Sequence, residues 1–412
     1  MAGERRMTPT APPSAADLVD EAFQVEVRGA LAAFTGDFAR WELERHIPKS
    51  VPAALGRAGL FRRRWEPGAE GGLRRLVTMC QEICRESSGL ALVAMGHSEI
   101  FVGGLHWLAA TPYQLELLEN ALDGAVVGCF GATEPHGGSS LGDLRTAAVR
   151  VPDGWRLTGC KRYISNVGRA DYILVLARAE DAAHPGDLSL FLLPLDHPGV
   201  TVDGFFDTAG LRSCDAGQVT FDATLPDDAL LGKAGLGLLY ATHLLHFERL
   251  GICAQLITAA DTALRLAAAY TRQRTTGGRR VMDRQSVRHR LARARAELWN
   301  LETRLAHLVG IAEREGRMPG HEIAALKLTA GESTGAIVDT ALQLFGARGY
   351  TAAFPLERIW RDARLARLGG GTDEVMSDLV AARVDRADPY YDDLVTALSL
   401  NDQPGPVPGP RG

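Results

Sequence analysis

The sequence predicts an α+β protein of several domains, with helices first, a β domain in the middle and a helical bundle last. Apolar residues recur with helical spacing from residue 16 to about 123, and again from 236 to about 386. Between residues 126 and 231 the apolar pattern has a period of two, which indicates strands. No segment of helical length interrupts these strands, so we expect an antiparallel barrel or sandwich. Long C-terminal helical segments with short loops predict a four-helix bundle.

Domain boundaries are placed where the periodicity changes. They give an N-terminal α-helical domain over residues 1–125, a middle β domain over 126–235, a C-terminal bundle over 236–390 and a flexible tail over 391–412. The predicted helices are 51–60, 76–86, 113–122, 236–274, 285–315, 321–345 and 373–386. The predicted strands are 145–151, 155–163, 172–178, 188–193 and 218–221. Residues 1 to about 15 are rich in Pro, Ala and Thr and are expected to be disordered.

The composition is that of an ordinary soluble globular chain. Of the 412 residues, 46% are hydrophobic and 23% are charged, and the formal net charge is −5. These values give no reason to expect nucleic acid or an anionic membrane as a partner. The six cysteines are scattered without metal-binding spacing, so we expect free thiols, no metal and a cytoplasmic location. We expect neither a signal peptide nor a membrane span, since no apolar run of about 18 residues occurs.

A glycine- and serine-rich turn, GGSS, lies between a short apolar run and two strands in residues 129–166. Pro-Asp-Gly between those two strands predicts a hairpin. Backbone N–H groups freed by glycine join the hydroxyls of Thr133, Ser139 and Ser165 in a wall rich in hydrogen-bond donors. Tyr163 adds an aromatic face, and such a combination suits a planar, acceptor-rich ring such as a flavin. Taken alone, the same residues also fit a polar loop between strands.

Glu248 is the acidic residue with the most distinctive surroundings on the predicted helix 236–274. Its neighbours on the same helical face are apolar or glycine: Ala241, Leu244, Leu245, Gly251, Ile252 and Leu256. An unpaired carboxylate among apolar groups has a raised pKa, which suits a base that works near neutral pH. Gly251 is expected to leave room beside the carboxylate. Pairing with another helix, or a place at the rim of the bundle, is the alternative.

Three segments together resemble the acyl-CoA dehydrogenase family. TEPHGGSS and GCKRYISN are similar to the family's flavin-cradling signature, and RDARLARLGGGTDEV is similar to its segment that contains E-G-T. The resemblance extends over nearly the whole chain. It implies FAD as the cofactor, an acyl thioester of CoA or of an acyl carrier protein as the substrate, and an electron-transfer flavoprotein or similar acceptor as a partner. It also implies a homotetramer or a homodimer.

The resemblance assigns binding positions residue by residue. The cofactor-binding positions that it implies are Phe130, Ala132, Thr133, Gly138, Ser139, Tyr163, Ser165, Arg274, Gln343, Gly346, Thr372 and Glu374. Within this set, Arg274, Gln343 and Gly346 match positions that reach the FAD pyrophosphate of a neighbouring subunit. The substrate-binding positions that it implies are Ser139, Arg249, Gly369 and Gly371.

The turn before Thr372 departs from the family pattern at its catalytic position. Three glycines predict a flexible turn that Thr372 or Asp373 can follow as a helix cap, and Gly370 stands where many members carry the catalytic Glu. The isovaleryl-CoA and long-chain branches carry the base on the bundle helix instead, in a segment like E-R-L, where Glu248 lies. The resemblance therefore implies that Glu248 removes the α-proton, the flavin N5 atom takes the β-hydride and the Gly370 N–H holds the thioester oxygen. A flavin-dependent monooxygenase or N-hydroxylase on the same fold, or a scaffold without flavin, are the alternatives.

Overall fold

The computed structural model describes residues 18–66, 72–179, 184, 186–384 and 388–401. Helices come first, a sheet lies in the middle and long helices follow, which confirms the predicted order of the three parts. The predicted disordered residues 1–15, and residues 402–412 of the predicted tail, lie outside the described residues.

The described residues of the N-terminal part form helices joined by short loops. Its helices are α1 Glu21–Ala32, α2 Phe38–Glu44, α3 Ser50–Arg57, α4 Leu60–Trp65, α5 Gly72–Glu86, α6 Ser88–Met95, a π-helix Gly96–Val102, α7 Gly103–Leu108 and α8 Pro112–Leu122. The single helix predicted over 51–60 is two helices, because Gly59 takes a left-handed conformation, with φ of 79°, between them. Thr111 closes a capping box with Gln114 at the start of α8.

The middle part is a mixed sheet. Its strands are β1 Gly128–Gly131, β2 Ala147–Val151, β3 Gly154–Ile164, β4 Tyr172–Ala179, β5 Leu188–Pro194, β6 Val200–Phe205, β7 Gly217–Leu225 and β8 Leu230–Leu231. They pair in the order β6-β7-β3-β2-β4-β5-β8, and β1 also pairs with β4. The prediction of a purely antiparallel sheet was wrong at two pairings, since β4 runs parallel to both β1 and β2. The connection after β3 brings the chain back beside β1 in the same direction.

Long helices form the C-terminal part. They are α9 Gly237–Gln273, α10 Gln285–Glu315, α11 Gly320–Phe345, α12 Leu356–Ala363, α13 Asp373–Val384 and α14 Pro389–Asn401, with a short hairpin of β9 Thr275–Thr276 and β10 Arg279–Arg280 after α9. Residues 391–401 were predicted to belong to a flexible tail, but they are helical. The Asp388 side chain accepts a hydrogen bond from the Tyr390 N–H at 3.1 Å and so begins this helix.

Helix α9 lies at the centre of the protein, where α5, α10 and α11 pack against it. Leu250, Leu298 and Leu326 are fully buried in the cluster that these helices share. By length and composition, two helical stretches could cross a membrane: Ser88–Leu108, and Gly237–Gln273, which is α9. No stretch of this kind was predicted from the sequence. In the most apolar window of each, 89% and 56% of the residues are buried inside the protein, as in core helices.

Candidate active site

The two halves of the predicted flavin cradle meet at the ends of β1 and β3. The Arg162 N–H donates to the Thr133 carbonyl at 2.8 Å, and the Lys161 ammonium donates to the Ala132 carbonyl at 3.1 Å. These bonds place the end of β1, with Phe130, next to the end of β3, with Tyr163. The structure therefore brings together residues that lie about thirty positions apart in the sequence.

A buried ion pair holds this junction. Glu134 and Lys161 are 4% and 0% exposed, and the Lys161 ammonium donates to the carboxylate at 2.8 Å. The same carboxylate accepts the backbone N–H groups of Arg145 and Thr146 at 2.7 and 2.8 Å. Burial opposes ionisation, but the hydrogen bonds from Lys161, Thr146 and Arg145 outweigh it and lower the pKa of Glu134 to about 2. Neither residue was predicted to have a role, although Glu134 lies in TEPHGGSS and Lys161 in GCKRYISN.

The cradle offers an aromatic face beside a small-residue turn. Tyr163 has φ of 56°, the residue is 58% exposed, and its ring packs against Phe206 with centroids 4.6 Å apart. A Cβ added to Gly138 would lie 2.8 Å from the Thr133 side chain, so only glycine lets the turn approach so closely. Ser139 is exposed and Ser165 is half-buried. An open aromatic face beside hydroxyls and close backbone fits a planar ring.

Glu248 lies half-buried on α9. In the described part of the chain its carboxylate has no hydrogen bond and no ion pair within 4 Å. Burial raises the pKa of Glu248, and the positive charges of Arg249 and Lys327 offset part of that effect. The pattern of apolar neighbours along α9 predicted the raised pKa. It did not predict the cation of α11, because spacing along α9 says nothing about a lysine on another helix.

The turn of three glycines is held against α9 by two cations. The Arg249 Nε donates to the Gly370 carbonyl at 2.8 Å, and the Lys327 ammonium donates to the Gly371 carbonyl at 2.6 Å. Gly370 and Gly371 have φ of 65° and 101°, in the left-handed region that favours glycine. A Cβ on Gly370 would lie 2.9 Å from Cδ1 of Ile252, one helical turn beyond Glu248. The turn therefore packs against the face of α9 on which Glu248 and Ile252 lie.

The groups of the turn have different hydrogen-bond partners. The Gly369 N–H donates to the Leu365 carbonyl at 2.9 Å. The Gly370 N–H meets no acceptor among the described residues. Arg249 was predicted to bind substrate. Its Nε donates to the turn, while its buried Nη1 has no hydrogen-bond partner in the described structure. Thr372 caps the next helix, since its Oγ1 accepts the Val375 N–H at 3.4 Å.

Gly251 does not leave room beside Glu248, so that interpretation was wrong. A Cβ at position 251 would lie 2.4 Å from Sδ of Met95 and 3.2 Å from Sγ of Cys80. Glycine is required there because α5 and α6 approach α9 closely. The space that the missing side chain provides is filled by the core, and it does not extend the site.

Three predicted cofactor residues lie far from Glu248. Arg274 directly follows α9, and 26 residues at 1.5 Å each separate it from Glu248 by about 39 Å. Gln343 and Gly346 are exposed at the end of α11, where Phe345 stacks on Tyr270 near the end of α9. These three residues thus share one end of the bundle. Glu374 is exposed in the first turn of α13, near the glycine turn.

The three-part architecture and a helix-borne carboxylate beside a glycine turn define the class of protein as the acyl-CoA dehydrogenase fold. The sequence profile of the acyl-CoA dehydrogenase middle domain matches residues 129–224, and that of the C-terminal domain matches residues 235–384. The chain belongs to the acyl-CoA dehydrogenase family, whose members are oxidoreductases.

Relatives with assigned activities align over most of the chain. An acyl-[acyl-carrier-protein] dehydrogenase, MbtN, of Mycobacterium sp. (strain MCS) is 31% identical over 368 residues, which are 88% of this chain and 93% of the relative. The mitochondrial short-chain specific acyl-CoA dehydrogenase of Bos taurus is 29% identical, over 84% of this chain and 87% of the relative. A crystal structure of acyl-CoA dehydrogenase from Geobacillus kaustophilus has a TM-score of 0.84 and 26% identity, over 89% of this chain and 99% of that chain.

Proposed function

We propose that this protein is an FAD-dependent dehydrogenase that introduces an α,β double bond into an acyl thioester, with Glu248 as the base. One observation carries the proposal. A carboxylate without a partner in the described structure lies on α9 beside a turn whose Gly370 N–H is also without an acceptor there. A base and an oxyanion donor at one place are what removal of an α-proton from a thioester requires.

The reaction removes two hydrogens from adjacent carbons. Glu248 takes the α-proton as its carboxylate becomes a carboxylic acid, and the electron pair of that C–H bond moves toward the thioester carbonyl. The Gly370 N–H stabilises the charge that develops on the carbonyl oxygen. The β-hydrogen leaves as hydride, and the α,β double bond forms. A base whose pKa is raised toward neutrality accepts the proton more readily than an ordinary carboxylate.

FAD, when bound, supplies the hydride acceptor. The cradle residues Phe130, Ala132, Thr133, Gly138, Ser139, Tyr163 and Ser165 would hold its ring, and Thr372 and Glu374 would contact it from the bundle. The exposed aromatic face of Tyr163 beside a close-packed turn supports this assignment. Arg274, Gln343 and Gly346 would bind the pyrophosphate of a neighbouring subunit, because about 39 Å of helix separates Arg274 from Glu248.

The substrate is proposed to be an acyl thioester of CoA or of an acyl carrier protein, since relatives named for each carrier are about equally similar to this chain. We further propose a cytoplasmic homotetramer or homodimer that passes its electrons to an electron-transfer flavoprotein or a similar acceptor. We also propose tolerance of bulky acyl groups, because positions 369 and 370 carry no side chain; a Cβ at Gly369 would make ordinary contact with Leu365, 3.7 Å away.

Replacement of the carboxylate tests the proposal. Glu248→Gln keeps the shape of the side chain but cannot take a proton, so the variant should retain FAD and lose reduction of the flavin by acyl thioesters under anaerobic conditions. Glu302→Gln is the matched control, because burial also raises the pKa of Glu302, which is paired with Arg295 on α10. Full activity of Glu248→Gln would refute the assignment of the base.

The monooxygenase alternative rests on the glycine at position 370. Reactivity with oxygen distinguishes a monooxygenase from a dehydrogenase. A monooxygenase should need a flavin reductase, and once reduced it should react quickly with oxygen even without substrate. A dehydrogenase should be reoxidised slowly by air and quickly by an electron-transfer flavoprotein. Purification of a colourless protein that takes up no FAD would instead support a scaffold without flavin.

A further inference from the structure

Lys327 is a fully buried lysine that the reaction described above does not use. It lies on α11 with 0% exposure, inside the cluster where α9 and α11 pack. Burial lowers the pKa of its ammonium, which reflects the cost of removing a charge from water. A lysine kept in such a place needs a compensating contact. Its hydrogen bond, 2.6 Å long, goes to the carbonyl of Gly371.

The contact of Lys327 has a counterpart on the neighbouring helix. Arg249 of α9 holds the Gly370 carbonyl at 2.8 Å, so two cations from two helices hold two consecutive carbonyls. Glycine has the largest conformational freedom of any residue, and a turn of three glycines restrains itself poorly. Fixing the carbonyls of Gly370 and Gly371 fixes the peptide planes on which they lie. These planes contain the N–H groups of Gly371 and Thr372, and the first of them begins at the Cα of Gly370. The charge-assisted hydrogen bonds therefore restrain the turn at the residue that carries the Gly370 N–H.

The charge of Lys327 also reaches the base. The charged and titratable groups around the ammonium are Cys253, Glu248 and Arg249 of α9 and Asp373 of α13. Asp373 is already paired with Arg367 at 2.5 Å, and burial raises the pKa of the Cys253 thiol to about 12, so that thiol is neutral. Glu248 is the remaining carboxylate near the ammonium. A nearby cation favours the ionised form of a carboxylate.

We propose that Lys327 is a positioning residue for proton abstraction: it fixes the glycine turn that presents the Gly370 N–H, and it stabilises the carboxylate of Glu248. The inference rests on the proposed function for the identity of the reaction. It adds a second role to a lysine that packing alone would class as part of the core.

The variant Lys327→Met separates this role from a merely structural one. Methionine fills a similar volume and removes a buried charge, so the thermal midpoint should be unchanged or higher. The turn should loosen and Glu248 should be harder to ionise. A structural lysine would show the opposite pattern, with lower stability and unchanged chemistry per folded molecule.

Two readouts test the proposal on the full-length protein. Hydrogen exchange, measured without substrate, should be faster in Lys327→Met for a peptide that covers residues 365–376 and unchanged for residues 285–300 of α10. For thioester oxidation, kcat/KM should fall about tenfold or more, and its acid limb should shift upward by about one pH unit. Lys233→Met, at an exposed lysine, is the matched control and should change neither readout.

Lys327→Gln is the second variant, and it tests the proposed role of Lys327 if Lys327→Met does not fold. Its amide nitrogen can donate but ends one bond short of the position of the ammonium, and it carries no charge. Exchange of the turn should therefore lie between that of the wild type and that of Lys327→Met, while the acid limb still shifts upward. Unchanged exchange and an unchanged acid limb in a folded variant would overturn the proposal. The exchange measurement needs no substrate, so it remains valid if Glu248→Gln proves fully active and only the proposed function fails.

Discussion

The ion pair between Glu134 and Lys161 should behave as a coupled unit whose single replacements cost far more than its joint replacement. Glu134→Gln leaves a buried ammonium without its anion. Lys161→Met leaves the carboxylate with only the N–H groups of Arg145 and Thr146. Breaking a buried pair on one side costs about 3–5 kcal/mol, whereas removing both charges costs much less.

The pKa values of the two groups give the size of the effect. The pKa of Glu134 falls from 4.5 to about 2, which favours its ionised form by about 3 kcal/mol in the folded chain. The pKa of Lys161 falls from 10.5 to about 8 because of burial, which disfavours its ionised form by about the same amount. The two effects nearly cancel, so the intact pair adds little net stability at pH 7.

The same values fix the dependence on pH. The contribution of Glu134 is complete above its unfolded pKa of 4.5 and is lost as the pH falls toward 2. The cost of burying the Lys161 charge is relieved as the pH rises from about 8 toward 10.5. Stability should therefore fall in acid because of Glu134, and Glu134→Gln should remove that part of the acid sensitivity.

A double-mutant cycle measures the coupling. The thermal midpoint and the rate of FAD loss are recorded for the wild type, Glu134→Gln, Lys161→Met and the double variant. The two single variants should release FAD faster, because this pair holds the junction of β1 and β3. The double variant should be more stable than the sum of the single effects predicts, by about 2 kcal/mol or more. Additivity within about 0.5 kcal/mol would refute the reasoning.

Three further predictions concern other parts of the protein. Gly370→Ala should lower the thermal midpoint, since a left-handed alanine costs about 1 kcal/mol and its Cβ would contact Cδ1 of Ile252. Adding Ile252→Val removes that methyl group and should recover part of the lost stability. Burial raises the pKa of Asp362 from 3.8 to about 6, so the folded protein loses stability as the pH rises through this range and the buried carboxyl ionises. Asp362→Asn carries no charge and can still accept the Leu211 N–H, so the variant should be more stable than the wild type at pH 8 but not at pH 4. Thr111→Val should cost about 1 kcal/mol and speed hydrogen exchange in the first turn of α8, with no change in α10.

The elements that the sequence predicted well are those with a long, undisturbed period. The predicted and observed bounds of α10 coincide at 285–315, because 31 residues of helical spacing leave little freedom. The strand β1 spans four residues, too few for a period of two to be visible, and it is defined by its partner β4. The parallel pairing of β4 depends on how distant segments meet, which local spacing does not contain.

In the candidate site, too, effects within one helix could be predicted from the sequence, whereas contacts between distant segments could not. The apolar neighbours of Glu248 lie on its own helix, so their effect on its pKa could be predicted. The contact of Gly251 with Met95 joins two helices far apart in the sequence, and the prediction about Gly251 failed for that reason. Lys327 left one signal that was missed: a single lysine inside the apolar run IAALKLTA, which indicates a charge that must be buried.

The turn at Gly369–Gly371 has a consequence for how this protein can change over generations. Positions 370 and 371 contribute only main-chain groups, and a Cβ at either would lie within 3 Å of a neighbouring side chain, 2.9 Å from Ile252 or 2.8 Å from Met376. Selection at these two positions therefore acts on the left-handed backbone and on close packing. Position 369 has neither the left-handed backbone nor a close neighbour. Sequence drift should accumulate at 369 while the next two positions stay fixed, and that contrast between adjacent sites would mark lineages that keep the same turn.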